Sequence, residues 1–351
     1  MKKGWQTKRF AEILEIRNGK NQRYVLSDSG TYPIYGSAGN VMGMATDFIC
    51  EAGTTIIGRK GNINSPVFTD TPFWNVDTAF GLSALNELDS KFLFYFCLTY
   101  DFGALNRGTT IPSLVKSELL EIEIPIPPLP EQRRIVGILD EAFAGIATAR
   151  AHAEQNRQNA RALFESHLHT TFTQRGKGWV EKPLDKCFRL KSGDGLTSKA
   201  MKAGAYPVFG GNGIAGMHDE FNLAGDNVII GRVGALCGNA RHIIEKIWLT
   251  DNAFRIVDFC CEFDGAFLTY LLNYKNLRGL ARQAAQPVIS NSSLKDLVLN
   301  FPGVTEQRRI TKQLDALQAE TRRLEALYTR KLAALDELKA ALLHQAFSGM
   351  L

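Results

Sequence analysis

One stretch of this chain occurs twice, and that repeat constrains the fold more than any other feature. Residues 125–172 and 300–347 align at a constant offset: Glu131-Gln132-Arg133-Arg134-Ile135 against Glu306-Gln307-Arg308-Arg309-Ile310, then Leu139-Asp140 against Leu314-Asp315. Near the far end, His169 and Phe172 answer His344 and Phe347. An internal repeat sets the topology before any local assignment is made.

Each copy reads as a proline-rich strand exit followed by one long helix. Pro127, Pro128 and Pro130 favour extended chain, so the first helix is expected to begin at Glu131, whose carboxylate suits a helix N-terminus. In the second copy Thr305 is the expected cap. Apolar residues then recur at steps of three and four. One seam is Leu139, Ala142, Ile146, Ala149, Ala153, Ala160, Leu163; the other is Leu314, Leu317, Leu324, Tyr328, Leu335, Leu338, Leu342. Small residues on one face large residues on the other, as in two strands of one antiparallel coiled coil. A helix of roughly forty residues spans about 60 Å, so the expected shape is a rod with a globular module at each end.

The 351 residues allow two modules, each able to bury a core. A net charge of only +5 permits nucleic-acid binding without demanding it. Six cysteines form no CxxC pair and no zinc spacing, which points to reduced core thiols, no metal and a cytoplasmic setting. His167 and His169 sit two apart on a helix and diverge, so they suit a helix end better than a metal. The most apolar run, residues 92–98, is too short to cross a bilayer, and no leader is read behind Met1-Lys2-Lys3.

The segments before the two helices also match. Tyr32-Pro33-Ile34-Tyr35-Gly36 answers Tyr206-Pro207-Val208-Phe209-Gly210. A buried strand running into Gly58-Arg59 answers one running into Gly231-Arg232, and Trp74 with Asp77, Ala79 and Phe80 answers Trp248 with Asp251, Ala253 and Phe254. Ile111-Pro112 answers Gln286-Pro287. The frames agree while the polar loops differ: Ser37 to Asn40 stands against Gly211-Asn212-Gly213, and Lys60 against Val233. One scaffold carrying two different loop sets suits a protein that holds two different ligands. The predicted fold is therefore α+β, with two mixed α/β modules over 1–129 and 175–304 and two spacer helices over 130–174 and 305–351, related by a pseudo-two-fold internal repeat.

No catalytic constellation survives inspection. Residues 53–60 resemble a phosphate loop, but Arg59 and Lys60 stand where that loop needs Lys and Ser/Thr. There is no GxGxxG opening a helix and no Asn/Asp-Pro-Pro-aromatic tetrad, and Glu337-Leu338-Lys339 fits a solvated helix face. The chain reads as non-enzymatic, and binding remains. Arg and Lys in or beside loops, with Asn, Gln and Thr among them, are the side chains that read base edges and phosphates. The DNA-binding candidates are Ser37, Asn40, Arg59, Lys60, Asn62, Arg107 and Thr110 in the first module. In the second they are Lys191, Asn212, Arg232, Asn239 and Arg282. Arg59 and Arg232 stand out, because both follow a buried strand at matched positions.

Two modules with YPxYG or YPxFG, a strand into Gly-Arg and W-x-x-D-x-A-F, each closed by a proline-rich strand and an EQRRI helix, resemble the specificity subunit of type I restriction-modification enzymes. The resemblance covers nearly the whole chain. It implies that the modules are target recognition domains, each reading half of a bipartite DNA sequence. It implies that the helices act as a spacer, so that shortening both should shorten the unread gap in the target. Two methyltransferase subunits, and restriction subunits in the larger complex, are the implied partners. Glu131, Gln132, Arg133, Arg134, Glu306, Gln307, Arg308 and Arg309 are their candidate contacts. S-adenosylmethionine, Mg and ATP are expected on those partners and no cofactor here. One departure is Ala284-Ala285, which replaces the loop matched by residues 108–110. The rival reading is a coiled-coil scaffold whose end domains bind proteins; a third is a free-standing specificity protein from a related defence system.

Overall fold

The computed structural model describes residues 4–351 except 38, 175 and 282–286. The chain divides into two units, one of Met1–Gln155 with Thr329–Leu351, the other of Asn156–Tyr328. The first unit contains β1 (Gln6–Arg9), α1 (Phe10–Ile13), β2 (Leu14–Asn18), β3 (Tyr32–Tyr35), β4 (Val41–Ala45), β5 (Thr54–Gly58) and β6 (Val67–Thr69). It continues with β7 (Trp74–Asn75), β8 (Ala79–Ala84), α2 (Ser90–Thr99), α3 (Lys116–Leu120) and β9 (Glu123–Ile126), and then α4 (Leu129–Thr173) begins. The second contains β10 (Val180–Pro183), β11 (Arg189–Ser192), β12 (Tyr206–Gly210), β13 (Gly213–His218), β14 (Asn227–Gly231) and β15 (Ala240–Ile243). Then come β16 (Trp248–Leu249), β17 (Ala253–Val257), α5 (Gly265–Tyr274), α6 (Asn291–Leu294), β18 (Val298–Phe301) and α7 (Val304–Ser348).

Sheet topology repeats strand for strand. The first unit has a four-stranded sheet β2-β8-β5-β6, a three-stranded sheet β4-β3-β7 and the pair β1-β9; the second has β11-β17-β14-β15, β13-β12-β16 and β10-β18. β5 is Thr-Thr-Ile-Ile-Gly and is buried at every position, as a β-branched run covered on both faces should be. One face of its sheet meets α2, which enters the core through Phe92, Leu93 and Phe96 after Asp89 caps its first turn at Lys91 N and Phe92 N. In the second unit α5 does the same through Phe267, Leu268 and Leu271, capped by Asp264. Fully burying each such side chain is worth roughly 1.5–3 kcal/mol.

Both long helices start earlier than their sequence suggests. α4 begins at Leu129 and α7 at Val304, so Pro130 lies in the first turn and Thr305 lies inside the helix rather than capping it. Proline is tolerated there because the first turn's N–H groups have no intrahelical acceptor. The first helical bonds run from Glu131 N and Gln132 N to Pro128 O (2.9 and 3.1 Å), and from Glu306 N and Gln307 N to Gly303 O (3.0 and 3.1 Å).

Within the first unit α4 and α7 run antiparallel: Arg134 donates to Leu351 O at 2.8 Å and Arg150 pairs with Asp336, so numbers rise on one helix as they fall on the other. In the second unit Arg161 pairs with Glu325. The seam assignment holds at Leu139, Ala153, Ala160 and Leu314, which are buried, and fails at Leu163 and Leu338, which are 60% and 47% exposed. Ala149 is exposed as well. Ala149 lies mid-seam, between Ile146 and the buried Ala153, and Leu338 precedes the partly buried Leu342, so the exposed positions are local departures within the seams.

Candidate nucleic-acid interface

The loops picked out by sequence gather at one place in each unit, and backbone hydrogen bonds fix them there. In the first unit β5 ends at Gly58, where an added Cβ would lie 1.8 Å from Asn62 O, so only glycine allows the turn to close. The turn is clamped on both sides. Arg59 N and Lys60 N donate to Thr78 O (2.8 and 3.1 Å), Gly61 N donates to Pro112 O (2.9 Å), and Leu114 N donates to Arg59 O (2.9 Å). Arg107 N bonds Ser113 O at 2.9 Å, which brings the 107–113 loop alongside. The β3–β4 hairpin tip closes through Gly36 N to Asn40 O at 3.2 Å, and Ser37 Oγ lies 3.7 Å from where a Gly61 Cβ would stand. Ser37, Asn40, Arg59, Lys60, Asn62, Arg107 and Thr110 thus belong to one loop cluster, in which Asn40, Lys60, Asn62 and Thr110 are exposed.

The second unit builds the same clamp. Arg232 N donates to Asn252 O (2.9 Å), Gly234 N to Pro287 O (3.3 Å) and Ile289 N to Arg232 O (2.9 Å). Asn212, at the tip between β12 and β13, accepts from Leu236 N at 2.9 Å through its side-chain oxygen and so holds the turn to the hairpin. The peptide of Asn239 completes the turn, accepting from Gly231 N and donating to Leu236 O. Lys191 lies on β11 and is exposed. Arg282, with Gln283, lies outside the described residues.

The matched arginines share a setting. The Arg59 guanidinium lies 5.9 Å from the Phe80 ring and donates to Asp77 O at 3.3 Å; that of Arg232 lies 5.3 Å from the Phe254 ring, with Asp251 O at 3.5 Å and Ser192 Oγ at 3.4 Å. Both are half-buried. An aromatic floor and a backbone carbonyl hold each cation in place before any ligand arrives, which reduces the rotamer entropy lost on binding. Arg107 is different: its Nε donates to Glu118 Oε1 at 2.7 Å, so its charge is already partnered.

At the helix starts the EQRR tetrads split into two roles. Gln132 and Gln307 are fully buried, which corrects the expectation that the whole tetrad faces a partner. Gln132 accepts from Asp89 N (2.8 Å) and donates to Glu87 O (2.9 Å) and Pro127 O (2.8 Å). Gln307 repeats this with Asp264 N (2.9 Å), Glu262 O (3.1 Å) and Pro302 O (2.8 Å). A glutamine suits the position because one amide both accepts and donates, and an apolar residue would leave one buried and two part-buried backbone groups without this partner. Around them, Glu131 pairs with Arg134 and Glu306 with Arg309, one turn on, while Arg133 and Arg308 are exposed. Arg309 holds the Glu306 carboxyl below its usual range.

Two further repeated contacts fasten the helices. Tyr95 donates to Asp140, and Tyr270 donates to Asp315 at 2.7 Å. Phe347 of α7 sits against Phe92 and Phe96 in the first unit, and Phe172 of α4 sits against Phe267 and Tyr274 in the second. Residues 169 and 172 were visible as a repeat, and their role as anchors comes from the fold: His169 Nδ1 meets Tyr274 OH at 3.1 Å.

Among the described residues no group of three or more His, Cys, Asp or Glu side chains could hold a metal ion, and no helix is long and apolar enough to cross a membrane.

Residues 2–155 and 176–332 match the family described as the Type I restriction modification DNA specificity domain. The chain is 28% identical over 252 residues to the type I restriction enzyme EcoprrI specificity subunit of Escherichia coli, covering 66% of this chain and 62% of that one. It is 25% identical over 290 residues to the StySPI specificity subunit of Salmonella potsdam, covering 71% and 62%. It therefore spans about 62% of the length of these curated relatives. Among solved structures, a chain from work on complex assembly and conformational transition of the type I R-M system has a TM-score of 0.77 at 19% identity, with 98% of both chains covered. The HsdS subunit from Thermoanaerobacter tengcongensis has a TM-score of 0.60 at 21% identity, covering 100% of this chain and 98% of that one. These two likenesses concern the fold.

Proposed function

This chain belongs to the type I restriction-modification DNA specificity family, and from that premise we propose that it is the sequence-reading subunit of such a complex. Each unit reads one half-site of a bipartite duplex target through its loop cluster. The long helices dock two methyltransferase subunits, and restriction subunits join the larger assembly. Methyl transfer and cleavage, with their S-adenosylmethionine, Mg and ATP, belong to those partners, and this chain contributes no catalytic group.

The observation that carries this reading is one clamp with two contents. Backbone hydrogen bonds fix the turn after β5 and the turn after β14 in the same way, while the side chains they present differ: Lys60 and Asn62 in one, Val233 and Ala235 in the other. Arg and Asn or Gln held rigidly at a surface are what base-edge readout requires, and a fixed scaffold with exchanged loops gives two unlike half-sites. A scaffold binding proteins at both ends gives no reason for a paired, ring-seated arginine at each clamp.

The test is to replace residues 179–304 with the equivalent segment of another family member and map methylated sites in the host. One half-site should change and the other stay. A change in both would contradict one-unit, one-half-site reading.

A further inference from the structure

We propose that Cys261 and Cys187 of the second unit are a redox-reactive thiol pair: a hydroperoxide oxidises Cys261, and Cys187 then closes a disulfide with it. The proposal uses none of the loop-cluster residues and stands apart from the proposed DNA reading.

Three of the chain's six cysteines gather at one point. Cys260 N donates to Cys187 O at 2.8 Å, which lays the 259–263 segment beside Cys187. The Phe188 ring meets Phe259 and Phe263, each at 5.9 Å, so aromatic contacts hold the two segments together on both sides of the cysteines. Cys261 Sγ approaches Lys186 O, the carbonyl next to Cys187 N, at 4.0 Å and accepts from Lys182 Nζ at 3.5 Å. Cys260 Sγ turns instead to Asp258 O at 3.6 Å. Cys187 is fully buried, and burial followed by the adjoining Cys261 thiol pushes its pKa up to about 12, with Lys182 acting the other way. Among the described residues these thiols belong to no group that could hold a metal ion.

The first unit has the same backbone arrangement without the sulfur. Leu85 N donates to Ile13 O at 2.8 Å where Cys260 N donates to Cys187 O. Gln132 holds Glu87 O where Gln307 holds Glu262 O, so Asn86 stands at the Cys261 position. Lys8 and Lys182 occupy the same place in β1 and β10, opposite Ile124 and Leu299. Lys8 pairs with Glu87, whereas Lys182 reaches sulfur. The scaffold thus folds with isoleucine, leucine and asparagine at these three places, and its packing does not call for thiols.

Access sets the order of events. Cys261 is half-buried and lines an open cleft of about 560 Å³ with Cys260, Phe263, Val304 and Arg308, whereas Cys187 is sealed in the core. The Cys261 sulfur attacks one oxygen of the hydroperoxide and the O–O bond breaks. Water or an alcohol leaves with the thiol's proton, and Cys261 becomes a sulfenic acid. The Lys182 ammonium faces the negative charge that sulfur carries in this step. Cys187 sulfur then attacks Cys261 sulfur, the S–O bond breaks, and the hydroxyl leaves as water with the Cys187 proton. The two thiols together lose one electron pair and the peroxide gains it.

The test treats the full reduced chain with hydrogen peroxide, alkylates the remaining thiols after denaturation, and maps disulfides by peptide mass spectrometry. A peptide pair joining Cys187 to Cys261 is expected, and dithiothreitol should return it to two thiols. Cys261→Ser should abolish the link and leave Cys187 open to alkylation, while Cys260→Ser should leave the link intact. Lys182→Met should slow its formation severalfold; an unchanged rate removes Lys182 from the reaction. Because the link closes a long loop, it should raise the second unit's thermal transition and leave the first unit's in place. Three results would overturn the pair: both thiols alkylated after peroxide, Cys261 carried to a sulfinic acid with Cys187 still reduced, or a link made by Cys260 instead. Mapping the wild-type chain decides among these without any variant, so a substitution that fails to fold leaves the test intact.

Discussion

At the scale of single residues, the most consequential side chains are those that complete a backbone pattern. Gln132 satisfies two carbonyls and one N–H where strand, helix and α2 meet. Gln132→Ala should cost about 1–3 kcal/mol, because it leaves the buried Pro127 carbonyl without its partner and two part-buried backbone groups short of one. Hydrogen exchange should quicken at residues 87–92 and leave the second unit's 262–267 segment as it was; equal protection in both would contradict the role. Asp140 carries a pH signature. Burial acts to raise its pKa, but the Lys91 and Tyr95 hydrogen bonds outweigh it and leave the group below its ordinary 3.8. A depressed carboxylate pKa contributes stability above the ordinary value, and that stability is lost as pH falls through the folded-state value. Tyr95→Phe should move the Asp140 pKa back up and narrow this acid-side loss, as read by NMR titration; an unmoved pKa would show that Lys91 alone sets it. Thiol accessibility differs as plainly. Cys50 is buried with its pKa pushed up to about 12, whereas Cys260 is exposed, so iodoacetamide should modify Cys260 long before Cys50.

At the scale of elements, each long helix is fixed at its start by glutamine and at its end by phenylalanine. Phe347→Ala removes a ring lodged against Phe92 and Phe96 and should destabilise the first unit by about 3 kcal/mol. Phe172→Ala should do the same to the second. Differential scanning calorimetry should show each variant lowering one transition; a uniform shift of both would count against separate anchoring. The repeat, the helices and the loop clusters were legible because they rest on local signals: proline runs, three-and-four spacing, glycine before a polar turn. Gln132 looked like a surface residue because an EQRR run is polar by composition, and its burial depends on β9 and α2 arriving beside it. Strand register is a long-range property, and nothing within Ala-Arg-His-Ile at 240–243 or Ala-Phe-Arg-Ile-Val at 253–257 says which residue lies opposite Ile229. Leu163, Leu338 and Ala149 show the converse, in which three-and-four spacing marks positions that the packed helices leave exposed.

At the scale of the molecule, the account is of one scaffold used twice. Strand order, caps, glutamine locks and turn clamps recur, and the variation lies in what the clamps present. On the proposed function, selecting new target sequences requires new loops and no new fold, which separates the residues that hold the structure from those proposed to meet the ligand. The central claim is that this chain supplies sequence choice to enzymes that supply chemistry. The most direct measurement is modified-base sequencing of host DNA after co-expression with a candidate methyltransferase partner, with and without this chain. The account predicts a bipartite motif that is methylated only when the chain is present. A stable complex that methylates no new motif would contradict it and favour a scaffold.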